Sequence, residues 1–155
     1  MELDEIIAEI SGISEEQRTA ARQRWNTLAK PLGSLGVLEE NVAKIAALTG
    51  KSPVTLNRRT LLIFCSDNGV VAQGVSQSDA AVTAAVAAAL GRGDSTVNFM
   101  ARAAHCEVMP IDIGMQCSTP GGVYAQKLMP GTNDMFYVSA MSRHTCIRAI
   151  EAGMA

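Results

Sequence analysis

Acidic residues and glycines lie at the end of an apolar run at two places in the 155-residue sequence, with an amide beside them at the first. Asp67, Asn68 and Gly69 come directly after one run, and Asp112 and Gly114 end the next. Carboxylates and amides form hydrogen bonds, while a glycine lets the main chain approach a ligand closely. Open α/β folds bind ligands where the carboxyl ends of neighbouring parallel strands meet. The sequence therefore predicts a polar ligand site lined by both strand ends.

The connection after the first run is long and polar, from Asp67 to Ser78. Asn68–Gly69 is also a strong turn signal, so a simple reversal of the chain explains these two residues equally well. A reversal alone needs only a few residues, however, and polar loops at strand ends are common positions for binding groups. We therefore predict that the connection forms a wall of the site, with Val70 and Val71 as its apolar surface.

The elements that must position these residues alternate between strands and helices. Short continuous apolar runs predict strands buried on both faces, and the segments between them show helical caps. This alternation predicts an α/β fold, a parallel Rossmann-like sheet covered by helices, which is incomplete in this chain because two or three strands leave open edges. The predicted elements are strands at 60–65, 106–114 and within 124–129, and helices from Ser78 or Asp79 to about Gly91, from Ser95 to Ala104, and from Ser142 to Gly153.

An N-terminal helical section precedes this fold, so we predict two domains, a helical section at 1–52 and a partial α/β domain at 53–155. The sequence Ser14–Gln17 has the form of a capping box and predicts a helix to about Ala29. Apolar residues at helical spacing predict the core-facing sides of two further helices, one ended by Gly12 and one by Gly50. Those apolar faces are Leu3, Ile6, Ile7 and Ile10, and Leu35, Leu38, Val42, Ile45 and Leu48.

Composition excludes several classes of protein. Hydrophobic residues make up 48% of the chain and charged residues 18%, with a net charge of −2 and no basic stripe, so disorder and nucleic-acid binding are not expected. The acidic amphipathic N-terminus is unlike a signal peptide, and no apolar run is long enough for a membrane span, which predicts a cytoplasmic protein. Its four cysteines lack metal-ligand spacing, so we expect reduced thiols, no metal and no cofactor.

Four blocks of sequence also carry a family resemblance. In this order and at these separations they resemble the nicotinate-nucleotide–dimethylbenzimidazole phosphoribosyltransferases of cobalamin synthesis, over roughly the N-terminal half of a family member. The resemblance implies transfer of phosphoribose from nicotinate mononucleotide to a ring nitrogen of a benzimidazole-type base, with inversion at the anomeric carbon. The products are nicotinate and α-ribazole phosphate. The blocks are "KPLGSLGVLE", "DNGVVAQGVSQSDAAVT", "GDSTVNFMARAAHCEVMPIDIGM" and "GTNDMFYVSAMSRHTCIRAIEAG".

The resemblance assigns roles to individual residues. Asp67 and Gly69 match the Asp-His-Gly of the family, with Asn68 in place of the histidine, and Ser78 matches a serine that faces the base. Val86 stands where some members carry a glutamine. No catalytic residue is expected in this chain, since the general-base glutamate and the glycine-rich phosphate loop of the family belong to its later half. The substrate-binding residues predicted are Asp67, Asn68, Gly69, Val70, Ser78 and Asp112.

Two functions remain open from the sequence. The first is the acceptor-binding part of a phosphoribosyltransferase, present as a fragment or truncated chain and inactive by itself. The second is a non-catalytic base-binding or partner subunit of a full-length paralogue. In either case open strand edges predict association, as a homodimer or as a heteromer with a paralogue. Asn68 and Val86 favour an altered choice of base or a loss of activity in both readings.

Overall fold

The structure, a computed structural model, describes residues 3–154 and contains a three-stranded sheet with helices before, between and after its strands. None of the helices in this range is long and apolar enough to cross a bilayer. A short 3₁₀ helix, Gly69–Gln73, follows the first strand. The elements are α1 Leu3–Glu9, α2 Glu15–Thr27, α3 Val37–Thr49, β1 Thr60–Ser66, α4 Ala80–Arg92, α5 Thr96–Ala103, β2 Glu107–Gly114, β3 Tyr124–Ala125 and α6 Arg143–Met154.

The predicted parallel sheet is confirmed. Its strand order is β1-β2-β3, and both pairs are parallel, with Thr60 opposite Glu107 and Ile111 opposite Tyr124. Helices α4 and α5 connect β1 to β2, as a parallel crossover requires. The carboxyl ends of β1 and β2 therefore lie at the same edge of the sheet.

An irregularity in the β1–β2 pairing occurs at this edge. Cys65 pairs with Asp112, but the next residue, Ser66, pairs with Gly114, so that Ile113 has no partner on β1. The extra residue is a β-bulge, which redirects side chains and is common beside binding sites. Beyond the bulge the Asp67 N–H donates to the Gly114 carbonyl at 3.0 Å, which keeps the two strand ends together.

The chain divides into two compact units, one formed by residues 3–7 with 58–154 and the other by Ala8–Asn57. In the first unit Cys65, Ala87, Leu90 and Met115 form the buried core between the sheet and α4. The loop after β2 approaches α4 so closely that a side chain at Gly91 would overlap the main chain of that loop.

Strand β1 is less covered than its sequence predicts. An apolar run suggests burial on both faces, yet Leu61, Leu62 and Phe64 are 42%, 49% and 46% exposed. The prediction of burial on both faces is wrong for the described residues, because β1 lies at the edge of the sheet and the helices present cover it only in part. The strand thus presents apolar side chains and an unpaired edge to solvent.

In the second unit α2 and α3 pack against each other. Ser14 caps α2 as predicted, its hydroxyl accepting the Gln17 N–H at 3.3 Å. Between the helices the Glu40 carboxylate accepts from Arg18 and Arg22, each at 2.7 Å, and these two hydrogen bonds lower the pKa of Glu40 to about 2. The carboxylate therefore stays ionised through the ordinary pH range.

The side of α3 that packs on α2 differs from the sequence prediction. Leu38 and Leu48, expected in the core, are 54% and 72% exposed, whereas Ala43 and Ala46 are fully buried against Ala21. Alanine side chains allow two helices to approach more closely than leucines do, and the distance between packed helices depends on the side chains at their contact. The interhelical contact is therefore built on small residues, and the leucine stripe faces outward.

This packing predicts unequal effects of substitutions on α3. Ala46→Leu should destabilise the second unit by about 1 kcal/mol or more, because added volume in a close-packed contact forces strain. Leu48→Gln, at an exposed position and with similar helix propensity, should change stability by less than about 0.5 kcal/mol. Urea unfolding followed by the fluorescence of Trp25, the single tryptophan, measures both. A larger loss for Leu48→Gln would mean that the leucine stripe is the packed side.

Candidate functional site

A cleft of about 370 Å³ opens at the carboxyl end of β1, where the sequence predicts a site. Four of the six predicted substrate-binding residues line it, and Val70 and Asp112 do not. None of the lining residues is a lysine, arginine or histidine, so the cleft presents mainly hydrogen-bonding groups to a ligand. The lining residues are Ser66, Asp67, Asn68, Gly69, Val71, Ala72, Ser76, Ser78, Asp79, Ala80, Thr83 and Gln116.

Asp67 fastens the loop after β1 to two other segments. Asp67 is only 6% exposed, and its carboxylate accepts the Gln116 main-chain N–H at 2.8 Å. Its main-chain carbonyl accepts the Thr132 N–H at 2.9 Å, and its own N–H donates to the Gly114 carbonyl. The Asp67 carboxylate therefore joins the loop after β1 to the segment after β2.

Gly69 has a steric rather than a conformational role. It is not among the glycines with positive φ, but a Cβ at this position would lie 2.5–2.6 Å from three main-chain atoms of the segment 132–134. The Gly69 N–H also donates to the Thr132 hydroxyl at 3.1 Å. The sequence predicts that Gly69 lets the main chain approach a ligand, whereas the close approach in the structure is to the protein's own segment 132–134.

Asn68 combines the two interpretations that the sequence left open. The chain does turn here, since the Asn68 carbonyl accepts the Val71 N–H at 3.1 Å as the 3₁₀ helix begins. Its side chain is exposed, lines the cleft and forms no hydrogen bond to any described residue. The amide is thus free to bind a ligand. Gln73, at the end of the 3₁₀ helix, fixes the loop by donating to the Asp134 carboxylate at 2.6 Å.

Asp112 does not line the cleft and instead organises the segment after β2. It is fully buried, and its Oδ1 accepts the N–H groups of Gly114 and Met115 at 3.0 and 2.8 Å. Its Oδ2 accepts the Thr119 hydroxyl at 2.6 Å and lies 3.2 Å from Lys127 Nζ. Burial opposes ionisation, but the hydrogen bonds from Met115, Thr119 and Lys127 outweigh it and lower the pKa of Asp112. An ionised carboxylate therefore holds this segment in place.

The far rim of the cleft decides between the two caps that the sequence left open for α4, Ser78 and Asp79. The N-cap of α4 is Asp79, whose carboxylate accepts the Ala81 N–H at 3.0 Å, so Ser78 does not cap the helix. Asp79 is the cap because its carboxylate reaches the Ala81 N–H, which has no partner within the first turn of α4. The Ser78 hydroxyl lies 3.4 Å from the Ser76 hydroxyl and is exposed at the rim, which leaves it accessible to a ligand.

Sequence reasoning missed Gln116 and Thr83, which also line the cleft. Gln116 is two residues beyond Gly114, so its position just after a strand end was the signal that could have identified it. Thr83 lies one turn into α4, where only the three-dimensional path of the loop brings it to the cleft. Within residues 3–154, no group of three or more His, Cys, Asp or Glu residues could hold a metal ion.

Comparisons with known proteins give one consistent result. A family model described as "Phosphoribosyltransferase" matches residues 10–155. The nicotinate-nucleotide–dimethylbenzimidazole phosphoribosyltransferase of Clostridium acetobutylicum is 32% identical to the chain in an alignment that covers 99% of it. The enzyme of the same name from Chloroflexus aggregans is 36% identical over 98% of the chain. The crystal structure of the enzyme from Thermus thermophilus superposes with a TM-score of 0.80 and 35% identity over 91% of the chain. The chain spans 44% of the length of those two relatives and 43% of that structure.

Proposed function

Because the chain belongs to the family of nicotinate-nucleotide–dimethylbenzimidazole phosphoribosyltransferases, we propose that it supplies the acceptor-base-binding part of such an enzyme. The reaction transfers phosphoribose from nicotinate mononucleotide to a ring nitrogen of a benzimidazole-type base, giving α-ribazole phosphate for cobalamin synthesis and releasing nicotinate. The observation that carries this proposal is the cleft after β1, where the Asn68 amide and the Ser78 hydroxyl are both accessible to a ligand.

The chemistry of the reaction fits a binding role for this part. The pyridinium leaving group departs with its nitrogen neutral, so it needs no general acid, whereas the acceptor base must lose a ring proton to a general base. Both carboxylates that line the cleft already accept main-chain N–H groups, Asp67 from Gln116 and Asp79 from Ala81. Each carboxylate is thus engaged in holding main chain in place at the cleft. The proton acceptor is therefore proposed to lie outside this chain.

The binding role predicts a measurable effect at Ser78. Ser78→Ala should weaken binding of dimethylbenzimidazole by about 1 kcal/mol, roughly fivefold, because one neutral hydrogen bond is lost. Amide shifts of residues 67–78 during an NMR titration with the base give the affinity. Ser34→Ala, at an exposed position of the second unit, serves as the control and should bind as the unmodified chain does. Shifts confined to residues outside the cleft would contradict the proposal.

The second candidate, a non-catalytic partner subunit, is favoured by the exposed apolar side chains and unpaired edge of β1. An association with a second copy or with a full-length paralogue would cover both. We expect no α-ribazole phosphate from the purified chain, nicotinate mononucleotide and dimethylbenzimidazole, with the full-length Clostridium acetobutylicum enzyme as a positive control. Light scattering of the chain alone and mixed with that enzyme measures association. Product formation by a monomeric chain would contradict both the proposal that the general base lies outside this chain and the predicted association.

A further inference from the structure

One side-chain hydrogen bond connects the loop beyond Gly69 to a distant part of the chain. Gln73, the last residue of the 3₁₀ helix, donates from Nε2 to Asp134 Oδ2 at 2.6 Å. Within residues 3–154, no other hydrogen bond joins residues 70–78 to a segment outside 68–79. All of residues 72–79 are exposed, so packing restrains this stretch only weakly. The position of the loop therefore depends on the contact between Gln73 and Asp134.

The two members of this pair differ in how firmly they are held. Asp134 Oδ1 accepts the Phe136 N–H at 3.0 Å, and the Asp134 carbonyl accepts two further main-chain N–H groups of the same turn. Gln73 has no comparable support, because the residue that follows it is Gly74, in the left-handed conformation with a φ of 74° and with open space around its Cα. Asp134 is thus a fixed acceptor, while Gln73 belongs to the segment that can move.

The pair lies outside the cleft, but the loop that it holds forms one wall of the cleft. Neither Gln73 nor Asp134 is among the lining residues. A movement of the loop away from Asp134 would therefore displace groups that a ligand contacts without removing any of them. The lining residues that this loop contributes are Val71, Ala72, Ser76 and Ser78.

We propose that Gln73 and Asp134 form a latch that positions this wall and thereby sets the affinity of the cleft for the acceptor base. The latch rests on the proposed function, in which the base binds in the cleft. Both are positioning residues, because they act through the loop and do not touch the ligand. With the latch closed, the wall is ordered before the base arrives. With the latch open, ordering of the loop is added to the free-energy cost of binding.

The donor and the acceptor of the latch can be exchanged by substitution. Gln73→Glu places a second carboxylate against Asp134, and the two like charges should repel each other and release the loop. Adding Asp134→Asn restores one donor and one acceptor in the reverse order, since the amide of the introduced asparagine can donate while its oxygen still accepts the Phe136 N–H. Gln77→Glu is the matched control, because it adds the same charge at an exposed glutamine of the same loop that does not line the cleft.

Two measurements on the full chain test the latch. Isothermal titration gives the affinity for dimethylbenzimidazole, and heteronuclear NOEs of the amides of residues 70–78 report the order of the loop without ligand. Gln73→Glu should lower both the NOEs and the affinity, the latter by about fivefold or more, and adding Asp134→Asn should bring the affinity to within about twofold of the unmodified chain. Gln77→Glu should change neither quantity. A general loss of stability would not be rescued by the reversed pair, and thermal melts check that each variant folds.

Each other outcome has a distinct meaning. Unchanged affinity in Gln73→Glu overturns the positioning role while the proposed function stands, whether or not the NOEs fall. A double variant that binds as weakly as Gln73→Glu shows that the effect does not come from this hydrogen bond, which also overturns the latch. If the unmodified chain binds no base at millimolar concentration, the proposed function fails together with the effect on affinity, and the NOEs still decide whether the bond holds the loop.

Discussion

Asp112→Ala should lower the free energy of unfolding by about 3 kcal/mol, the largest stability effect expected from one substitution at this site. The carboxylate is fully buried and accepts two main-chain N–H groups and the Thr119 hydroxyl. Its removal leaves those donors unsatisfied and leaves the Lys127 ammonium without its counter-ion. Urea unfolding followed by far-UV circular dichroism measures the loss.

Two further variants separate the charge from the hydrogen bonds. Asp112→Asn keeps an oxygen for the main-chain donors but loses the charge, so it should cost less than the alanine variant. Thr119→Val removes one donor only and should cost about 1 kcal/mol. Equal stability of Asp112→Ala and the unmodified chain would show that the carboxylate does not hold the segment after β2.

The lowered pKa of Asp112 also fixes the direction of the pH dependence. Because the folded-state pKa lies below that of the unfolded chain, the ionised carboxylate contributes stability above about pH 4, the unfolded value. This contribution is lost as the pH falls through the folded pKa. Asp112→Asn should therefore lose less stability between neutral pH and acid than the unmodified chain does.

Gly69→Ala should weaken binding of dimethylbenzimidazole at least tenfold and destabilise the chain by about 2 to 3 kcal/mol. The added methyl group would overlap main-chain atoms of Thr132, Asn133 and Asp134, and main chain cannot rotate away as a flexible side chain can. The segment 132–134 must then move, and with it the hydrogen bond from Thr132 to Asp67 that holds the cleft loop. Isothermal titration with the base and urea unfolding measure the two effects.

Gly121→Ala is the matched control, because a Cβ at that position meets no atom within 4 Å and its φ is ordinary. It should leave both affinity and stability within experimental error of the unmodified chain. Undiminished base binding by Gly69→Ala would show that the position of segment 132–134 does not shape the cleft.

The sequence predicted the helices and strands well because caps and apolar runs act on neighbouring residues. The alternation of apolar runs and capped segments predicted all three strands and a parallel sheet, and Ser14, Ser95 and Ser142 lie where caps were expected. The choice between Ser78 and Asp79 stayed open, since it depends on which side chain reaches the Ala81 N–H.

Features that depend on contacts between distant segments were not predictable. The leucine spacing on α3 correctly predicts an amphipathic helix but does not say which side packs on α2, and the alanines occupy that contact. The sequence predicts that Asp112 binds substrate, whereas the residue lies outside the cleft lining and its carboxylate contacts Thr119 and Lys127. The fit of Gly69 against segment 132–134 likewise joins residues more than 60 positions apart.

The groups that hold the cleft together differ from the groups that face a ligand in it. Main-chain groups tie the segments together, through the Gly114 carbonyl to Asp67 and Gly131 and through the Asp67 carbonyl to Thr132. The side chains of Asn68, Ser78 and Gln116 face the cleft without holding any of these segments. Substitution at such positions alters what the cleft recognises and leaves its frame intact. Under the proposed function, divergence to a new acceptor is therefore open to single mutations, with no compensating change elsewhere in the described fold.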